Sequence, residues 1–404
     1  MIMGTLKLFN IGNLVTYNMN DNSMISLKGV EILISEGKII EIGSKVSDAD
    51  QLLDCENKLI TPGFVDCHTH PVFLDGRENE FEMRLKGLNY EEIADKGGGI
   101  NNSANGVRNS SEIELYNRLT PRMDKFLKLG TTTIEAKSGY GLNIDSELKS
   151  LKVLHEVNLN HQIDIVPTFM GAHAIPKEYN DDIDSYVDLI CDSMIPQVAE
   201  QGIAVFNDVF CEKGYFNSMQ TRRIINTGKE YGLLPRIHAD EFQDSGSAQI
   251  AGELTSISAD HLMKVSDEGI CSLLDHNVIA TLLPGTTFFL GKTNYAPYSR
   301  LKKAGVEIAL ATDYNPGSCN IKSMPFIISL ACIYLKMNVL DAIKACTYTS
   351  AKSLMMEGTI GSIEEGKNAD LIIWDIDKLE QVPYMIDHSL IKYVFKNGTR
   401  VFTA

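Results

Sequence analysis

The chain has 404 residues, 44% of them hydrophobic, and a formal net charge of -16. That apolar content can bury a large core, and the acidic balance excludes nucleic acid and anionic membranes as natural partners. An anionic small molecule would need a local Arg or Lys to be received. Eight cysteines are scattered along the chain with no CxxC pair, which points to a reducing compartment rather than a disulfide framework. Met1 to Asn10 has no basic stretch followed by an apolar one, and no run of about 18 apolar residues occurs. The expectation is a soluble cytoplasmic protein.

Residues 6–17, 29–35 and 38–42 are rich in β-branched and apolar residues and predict short strands, with a hairpin turn at Glu36-Gly37. The pattern then changes. Strand-like runs at 60–67, 131–136, 164–170, 204–210, 235–239, 256–259, 278–283 and 306–311 alternate with helical stretches such as 145–159, 183–200 and 218–231. Eight such units predict a parallel (β/α)8 barrel of the α/β class. A helix-like stretch at 340–355 would close it. The end of the chain is β-rich again, with a turn-rich entry at 361–366, a strand at 370–375 and a hairpin signal at Lys396-Asn397-Gly398 within 391–401. The expected organisation is a small β-sandwich domain built from residues 1–61 and 356–404, around a barrel over 62–355.

In a barrel, side chains at the C-terminal strand ends converge on one mouth. The predicted strands end on His68-Thr69-His70, Lys137, His173, Glu212, His238 with Glu241, His261, Pro284-Gly285 and Asp313. Alternate strand residues point the same way, so His68 and His70 can face one ion. His238 and Asp313 complete a ligand set suited to zinc, iron or another first-row divalent ion. Such an ion lowers the pKa of bound water from about 15.7 towards about 7. Glu241, three residues after His238, is a candidate proton shuttle, or else a solvated acid at a helix start. His261 is placed to polarise a carbonyl, or is a buried structural histidine. Asp240 reads as structural. His155, His161, His276 and His388 fall in helix-like or loop segments and read as surface residues.

The run Pro62-Gly63-Phe64-Val65-Asp66-Cys67-His68-Thr69-His70 and the segment Gly361-Ser362-Ile363-Glu364-Glu365-Gly366-Lys367-Asn368-Ala369-Asp370-Leu371 resemble the amidohydrolase superfamily. Other blocks resemble, within it, the imidazolonepropionase family over essentially the whole chain. They include Gly97-Gly98-Gly99-Ile100, Glu135-Ala136-Lys137-Ser138-Gly139-Tyr140-Gly141-Leu142, Gly171-Ala172-His173-Ala174, His238-Ala239-Asp240-Glu241, Ser258-Ala259-Asp260-His261-Leu262 and Ala311-Thr312-Asp313-Tyr314-Asn315-Pro316-Gly317-Ser318.

That resemblance implies one zinc or iron ion per subunit on His68, His70, His238 and Asp313. It implies a substrate, 4-imidazolone-5-propanoate, whose carboxylate pairs with Arg77 and whose ring meets Tyr140, His173 and Glu241. Asn315, Gly317 and Ser318 would bind its other end, although Asn315-Pro316-Gly317 is also a good turn sequence. Hydrolysis of the ring amide, with Glu241, His261 and Asp313 as catalytic groups, would give N-formimidoyl-L-glutamate, a step of histidine degradation. Asp313 and Glu241 both qualify as first base. A homodimer is implied as well. The alternatives are a deaminase of the same superfamily acting on a cytosine- or guanine-like ring, and, more distantly, a non-catalytic scaffold. Local sequence leaves the loops at Arg77 and Ser318 without a dictated shape.

Overall fold

The protein is described from a computed structural model. It describes residues 4–88, 92–93 and 98–404; Met1 to Met3 of the N-terminal stretch and Gly97 of the glycine block lie outside them. The N-terminal segment forms β1 (Leu6–Phe9), β2 (Asn13–Asn18), β3 (Ser23–Leu27), β4 (Glu31–Ser35), β5 (Lys38–Gly43), β6 (Gln51–Asp54) and β7 (Leu59–Pro62). The single strand predicted over 6–17 is two strands. The chain turns at Asn10, at φ +55, and β1 and β2 enter different sheets. β3 and β6 are largely exposed, so neither carries the alternation that reveals a half-buried strand in sequence.

The barrel strands are β8 (Phe64–Asp66), β9 (Thr131–Lys137), β10 (Asp164–Ala172), β11 (Phe206–Cys211), β12 (Leu234–Ala239), β13 (Ser258–His261), β14 (Ile279–Leu282) and β15 (Ile308–Leu310). They pair in parallel in consecutive order. The strand expected over 60–67 also divides, because Gly63 separates β7 from β8. A side chain at Gly63 would sit 2.4 Å from the Thr132 hydroxyl, and its N–H donates to the Asp370 carbonyl at 2.8 Å. β8 is therefore free to join the barrel while β7 stays in the small domain.

Beyond β8 and β15 the seam is closed by a parallel bridge between Thr69 and Tyr314. The Asp313 N–H donates to the His68 carbonyl at 3.1 Å, and the His70 N–H to the Tyr314 carbonyl at 2.8 Å. The helical stretch expected over 183–200 is interrupted by one widened turn at Ile190–Met194, next to Pro196, which cannot donate to the helical ladder. The stretch over 340–355 is two helices, Val339–Ala345 and Tyr348–Ser353.

The chain ends in β16 (Leu371–Trp374), β17 (Ile391–Lys396) and β18 (Thr399–Thr403). These join β7, β2 and β3 in a six-stranded sheet, order β18-β17-β16-β7-β2-β3, while β5-β4-β1-β6 form a second sheet. The β17–β18 hairpin turns at Asn397 and Gly398, both at positive φ, as an Asn-Gly pair favours. Among the described residues no helix is long and apolar enough to cross a membrane.

The barrel and the six-stranded sheet are held together by buried contacts. Trp374, the one tryptophan, is fully buried; its Nε1–H donates to the Thr61 hydroxyl of β7 at 2.9 Å, and its ring meets Phe64 of β8 edge-on with centroids 5.9 Å apart. Lys396, 1% exposed, bridges Asp370 of the small domain and Asp164 of β10, at 2.6 Å each. Removing one partner of a buried ion pair leaves the other charge uncompensated, at a cost of about 3–5 kcal/mol. Lys396→Met is therefore expected to destabilise the chain by about that amount, read as a lowered urea midpoint; an unchanged midpoint would refute this role.

Candidate metal centre and active site

The barrel mouth opens into a cavity of about 820 Å³ lined by Arg77, Tyr140, His173, Glu241, Asp313 and Ser318, among others. At its base, beneath the seam, His68 and His70 meet His238 from the end of β12 and Asp313 from just beyond β15. His70 Nε2 lies 3.3 Å from His68 Nε2 and 3.3 Å from His238 Nε2. Asp313 Oδ1 lies 3.6 Å from Nε2 of both His68 and His70. All four residues are at most 3% exposed.

The other ring nitrogens explain this convergence. His68 Nδ1 donates to Asp260 at 2.6 Å, and His238 Nδ1 to Asp208 at 3.0 Å. A proton on each Nδ1 leaves an acceptor lone pair on Nε2. Burial, then the nearby charge of Lys137, holds the His68 ring neutral by pushing its pKa well down, and burial with His173 does the same for His70. Converging lone pairs at 3.3 Å repel unless a cation lies between them. Four donors about 2.0–2.1 Å from a common centre are about 3.3–3.4 Å apart when tetrahedral, close to the spacing found. The residues therefore fit a divalent metal ion.

The carboxylates behind the rings are held in turn. Lys137, with no exposed surface, reaches Glu135 at 2.7 Å and Asp208 at 2.8 Å. Arg236, also fully buried, lies 3.4 Å from Asp260 and donates to the carbonyls of Cys67 and Ser353. Burial alone would raise the Asp208 carboxyl, but His238 and Lys137 hold it below the usual range. Glu135, Asp208, Arg236 and Asp260 carry no expected role from the sequence alone. For two of them a signal was present: Glu135 and Lys137 on β9, and Arg236 and His238 on β12, are each two apart on a strand, so each pair shares one face.

Glu241 rides on a loop pinned from both sides. Asp240 accepts from the backbone of Ser245, Ser247 and Ala248, and Glu212 accepts from the Phe242 N–H at 2.9 Å. Burial, reinforced by Asp313, pushes the Glu241 carboxyl up to about 8. Burial raises Asp313 to about 6, and the Thr286 hydroxyl donates to it at 2.5 Å. His261 Nδ1 is 3.7 Å from Glu241. The His261 ring also falls within ligand reach of His68 and His238, a neighbourhood its position after strand six did not indicate. His261 and Asp313 sit at φ +80 and +53, backbone that costs about 1–3 kcal/mol and persists where surrounding structure enforces it.

His173 stacks on His70 with ring centroids 4.8 Å apart, and its Nδ1 donates to the Gly139 carbonyl at 2.8 Å. Its Nε2 is thereby left as an acceptor. Tyr140 packs 5.1 Å from the same ring. Arg77 is not a surface residue: its side chain is 8% exposed, and its guanidinium lies so close over Gly317 that an added Cβ would meet Nη2 at 1.5 Å. Asn315 holds its own loop, its Oδ1 accepting from the backbone of Gly317 at 2.9 Å and Ser318 at 2.7 Å. The turn reading of Asn315 thus describes its hydrogen bonds, while it, Gly317 and Ser318 still line the cavity. His276 and His388 are exposed, and His155 and His161 are partly exposed, away from the mouth.

The amidohydrolase family profile matches residues 59–401. A protein of Geobacillus thermodenitrificans named imidazolonepropionase is 43% identical over 395 residues, covering 95% of this chain and 92% of that one. A protein of the same name from Fusobacterium nucleatum is 42% identical over 409 residues, covering 98% of both. Among solved structures, 5-methylcytosine deaminase from Klebsiella pneumoniae superposes with a TM-score of 0.77 at 16% identity, covering 98% of both chains. A triazine hydrolase variant superposes at 0.76 and 16% identity, covering 99% of this chain and 95% of that one. These two likenesses are ones of fold. The chain belongs to the amidohydrolase family and, within it, to the imidazolonepropionases.

Proposed function

We propose that the chain hydrolyses the ring amide of 4-imidazolone-5-propanoate to N-formimidoyl-L-glutamate. The observation that carries this reading is one cavity with two poles: a converging cluster of three histidines and one aspartate at its base, and the buried cation Arg77 on its wall. The relatives' name supplies the ring. A deaminase of an uncharged base would give Arg77 no anion to meet, and the deaminase neighbour shares the fold alone.

His68, His70, His238 and Asp313 would hold one zinc or iron ion. When bound, that ion supplies Lewis acidity to the attacking water and the ring carbonyl. Asp313, lying beside that water, takes its proton. His261 faces the carbonyl oxygen and steadies the negative charge that develops there. Glu241, protonated at neutral pH because burial raises its carboxyl to about 8, donates to the leaving ring nitrogen. The C–N bond breaks, and the carbonyl carbon ends as the new carboxylate. Tyr140 and His173 orient the ring, and the loop of Asn315, Gly317 and Ser318, packed against Arg77, borders the substrate beside its carboxylate. We also place the protein in the cytoplasm as a homodimer, on the family resemblance.

Purified protein is expected to carry about one equivalent of zinc or iron per chain, with chelation abolishing turnover of the imidazolone and that metal restoring it. Metal-free protein of full activity would sink the reading. Arg77→Ala should raise KM by about 10- to 100-fold, the loss of a charge-assisted contact; an unchanged KM would remove the carboxylate from that pole. Glu241 must be protonated to act, so wild-type kcat should fall as pH rises through about 8. Glu241→Gln should cut kcat by about 10²-fold or more and flatten that alkaline limb; a variant that keeps either the rate or the limb would exclude Glu241 as the acid.

A further inference from the structure

Helix Glu78–Leu85 is built the wrong way round for a surface helix. Its one buried residue is a carboxylate, Glu80, at 5% exposure. Two of its three large apolar residues are exposed, Phe81 at 39% and Leu85 at 72%, with Met83 half-buried. Burying a carboxylate is costly unless charge and hydrogen bonds compensate, so Glu80 must answer to something outside the helix.

It answers to the cavity wall. Glu80 Oε2 lies 3.2 Å from Arg77 Nε. Its Oε1 accepts from the Gly99 N–H at 2.9 Å. Arg77, Glu80 and Arg84 are spaced three and four apart, which places them on one helix face, and all three line the cavity. Arg84 Nη2 donates to the Gly317 carbonyl at 3.0 Å, and the Arg77 N–H donates to the Pro316 carbonyl at 3.2 Å. Gly317 is the residue whose bare Cα lies under the Arg77 guanidinium. Arg77 Nε and Nη1 are both buried and neither has a hydrogen-bond partner among the described residues, so Glu80 holds the Nε side as the nearest charge rather than through a hydrogen bond, while no carboxylate is paired with Nη1 among the described residues.

A guanidinium can receive a carboxylate on its Nε–Nη2 side or on its Nη1–Nη2 end. We propose that Glu80 is a positioning residue for substrate selection: it occupies the Nε side of Arg77, leaving the Nη1–Nη2 end to receive the substrate's carboxylate. Arg84 holds the opposing Gly317 loop in register, and Glu80 ties the pole to the loop at Gly99. This inference rests on the reading of Arg77 as the carboxylate's partner.

The test is Glu80→Gln, which keeps an acceptor for the Gly99 N–H and removes the charge that fixes Arg77. Steady-state kinetics are measured on 4-imidazolone-5-propanoate and on its propanamide analogue, which has the ring but no anionic tail. KM for the propanoate should rise about tenfold with kcat nearly unchanged, and KM for the propanamide should not move. An unchanged or lowered KM for the propanoate would overturn the proposal, the latter showing that Glu80 only dilutes the positive charge. An equal rise for both compounds, or a loss confined to kcat, would overturn it too, as a general structural effect. If thermal melting shows the Gln variant unfolded, Glu80→Asp is used. It keeps the charge but withdraws it by one methylene, and the same selective rise is required of it. Wild-type protein that does not turn over the propanoate at all would overturn the substrate reading, whereas normal wild-type turnover with an indifferent Glu80 variant would overturn this inference alone.

Discussion

The closing of the barrel and the gathering of His68, His70 and Asp313, residues that could hold a metal ion, are one event. The seam between the first and last barrel strands is stitched by the backbone of residues 68–70 and 313–314. His68, His70 and Asp313 are therefore brought together by the hydrogen bonds that complete the sheet. A barrel that failed to close would lose the ligand set, and the ligand set cannot drift while the barrel stays closed. Positive φ at Asp313 and His261 fits this: the chain leaves ordinary strand geometry where the ligand cluster and the rim compete for direction.

Closure alone would leave the imidazole rings of His68 and His238 free to turn or to charge. The barrel interior prevents both. Each buried carboxylate behind a ring is matched to a buried cation, Asp208 to Lys137 and Asp260 to Arg236. With Glu135 and Asp313 included, carboxylates outnumber cations in this low-dielectric interior. A divalent ion offsets that excess and relieves the repulsion of the converging lone pairs. The same burial separates the two acids nearest the chemistry, Asp313 at about 6 and Glu241 at about 8. Such a separation lets one carboxyl accept a proton while the other gives one.

The proposed selection of the substrate belongs to different elements. The metal pole stands on strand ends, which the sheet holds rigid. The anion pole stands on a short helix and two glycine-containing loops, which only cross-contacts hold. Arg77, Glu80 and Arg84 supply those contacts, and Gly317 supplies the room for a guanidinium. In a chain of net charge -16, a buried cation on the cavity wall is the local charge that the proposed anionic substrate would need.

The alternation of apolar runs and amphipathic stretches made the eight-stranded barrel legible from sequence, and the Asn-Gly pair at 397–398 fixed a hairpin. Both follow from local rules, side-chain period and turn chemistry, which need no partner. Strand ends enriched in His, Glu and Asp likewise marked the mouth. Local rules could not divide 6–17 or 60–67 between two sheets, because both halves are apolar and only the destination differs. Nor could they show that Glu80 is buried while Phe81 is not, since helical period alone favours the reverse. Pairings such as His68 with Asp260, His238 with Asp208, and Arg77 with Gly317 join residues 30 to 240 positions apart. The residue types and their order along the chain decide which chemistry is available. Which carboxylate turns which ring, and which edge of Arg77 faces the cavity, is decided only when the closed barrel brings those distant segments within hydrogen-bond range.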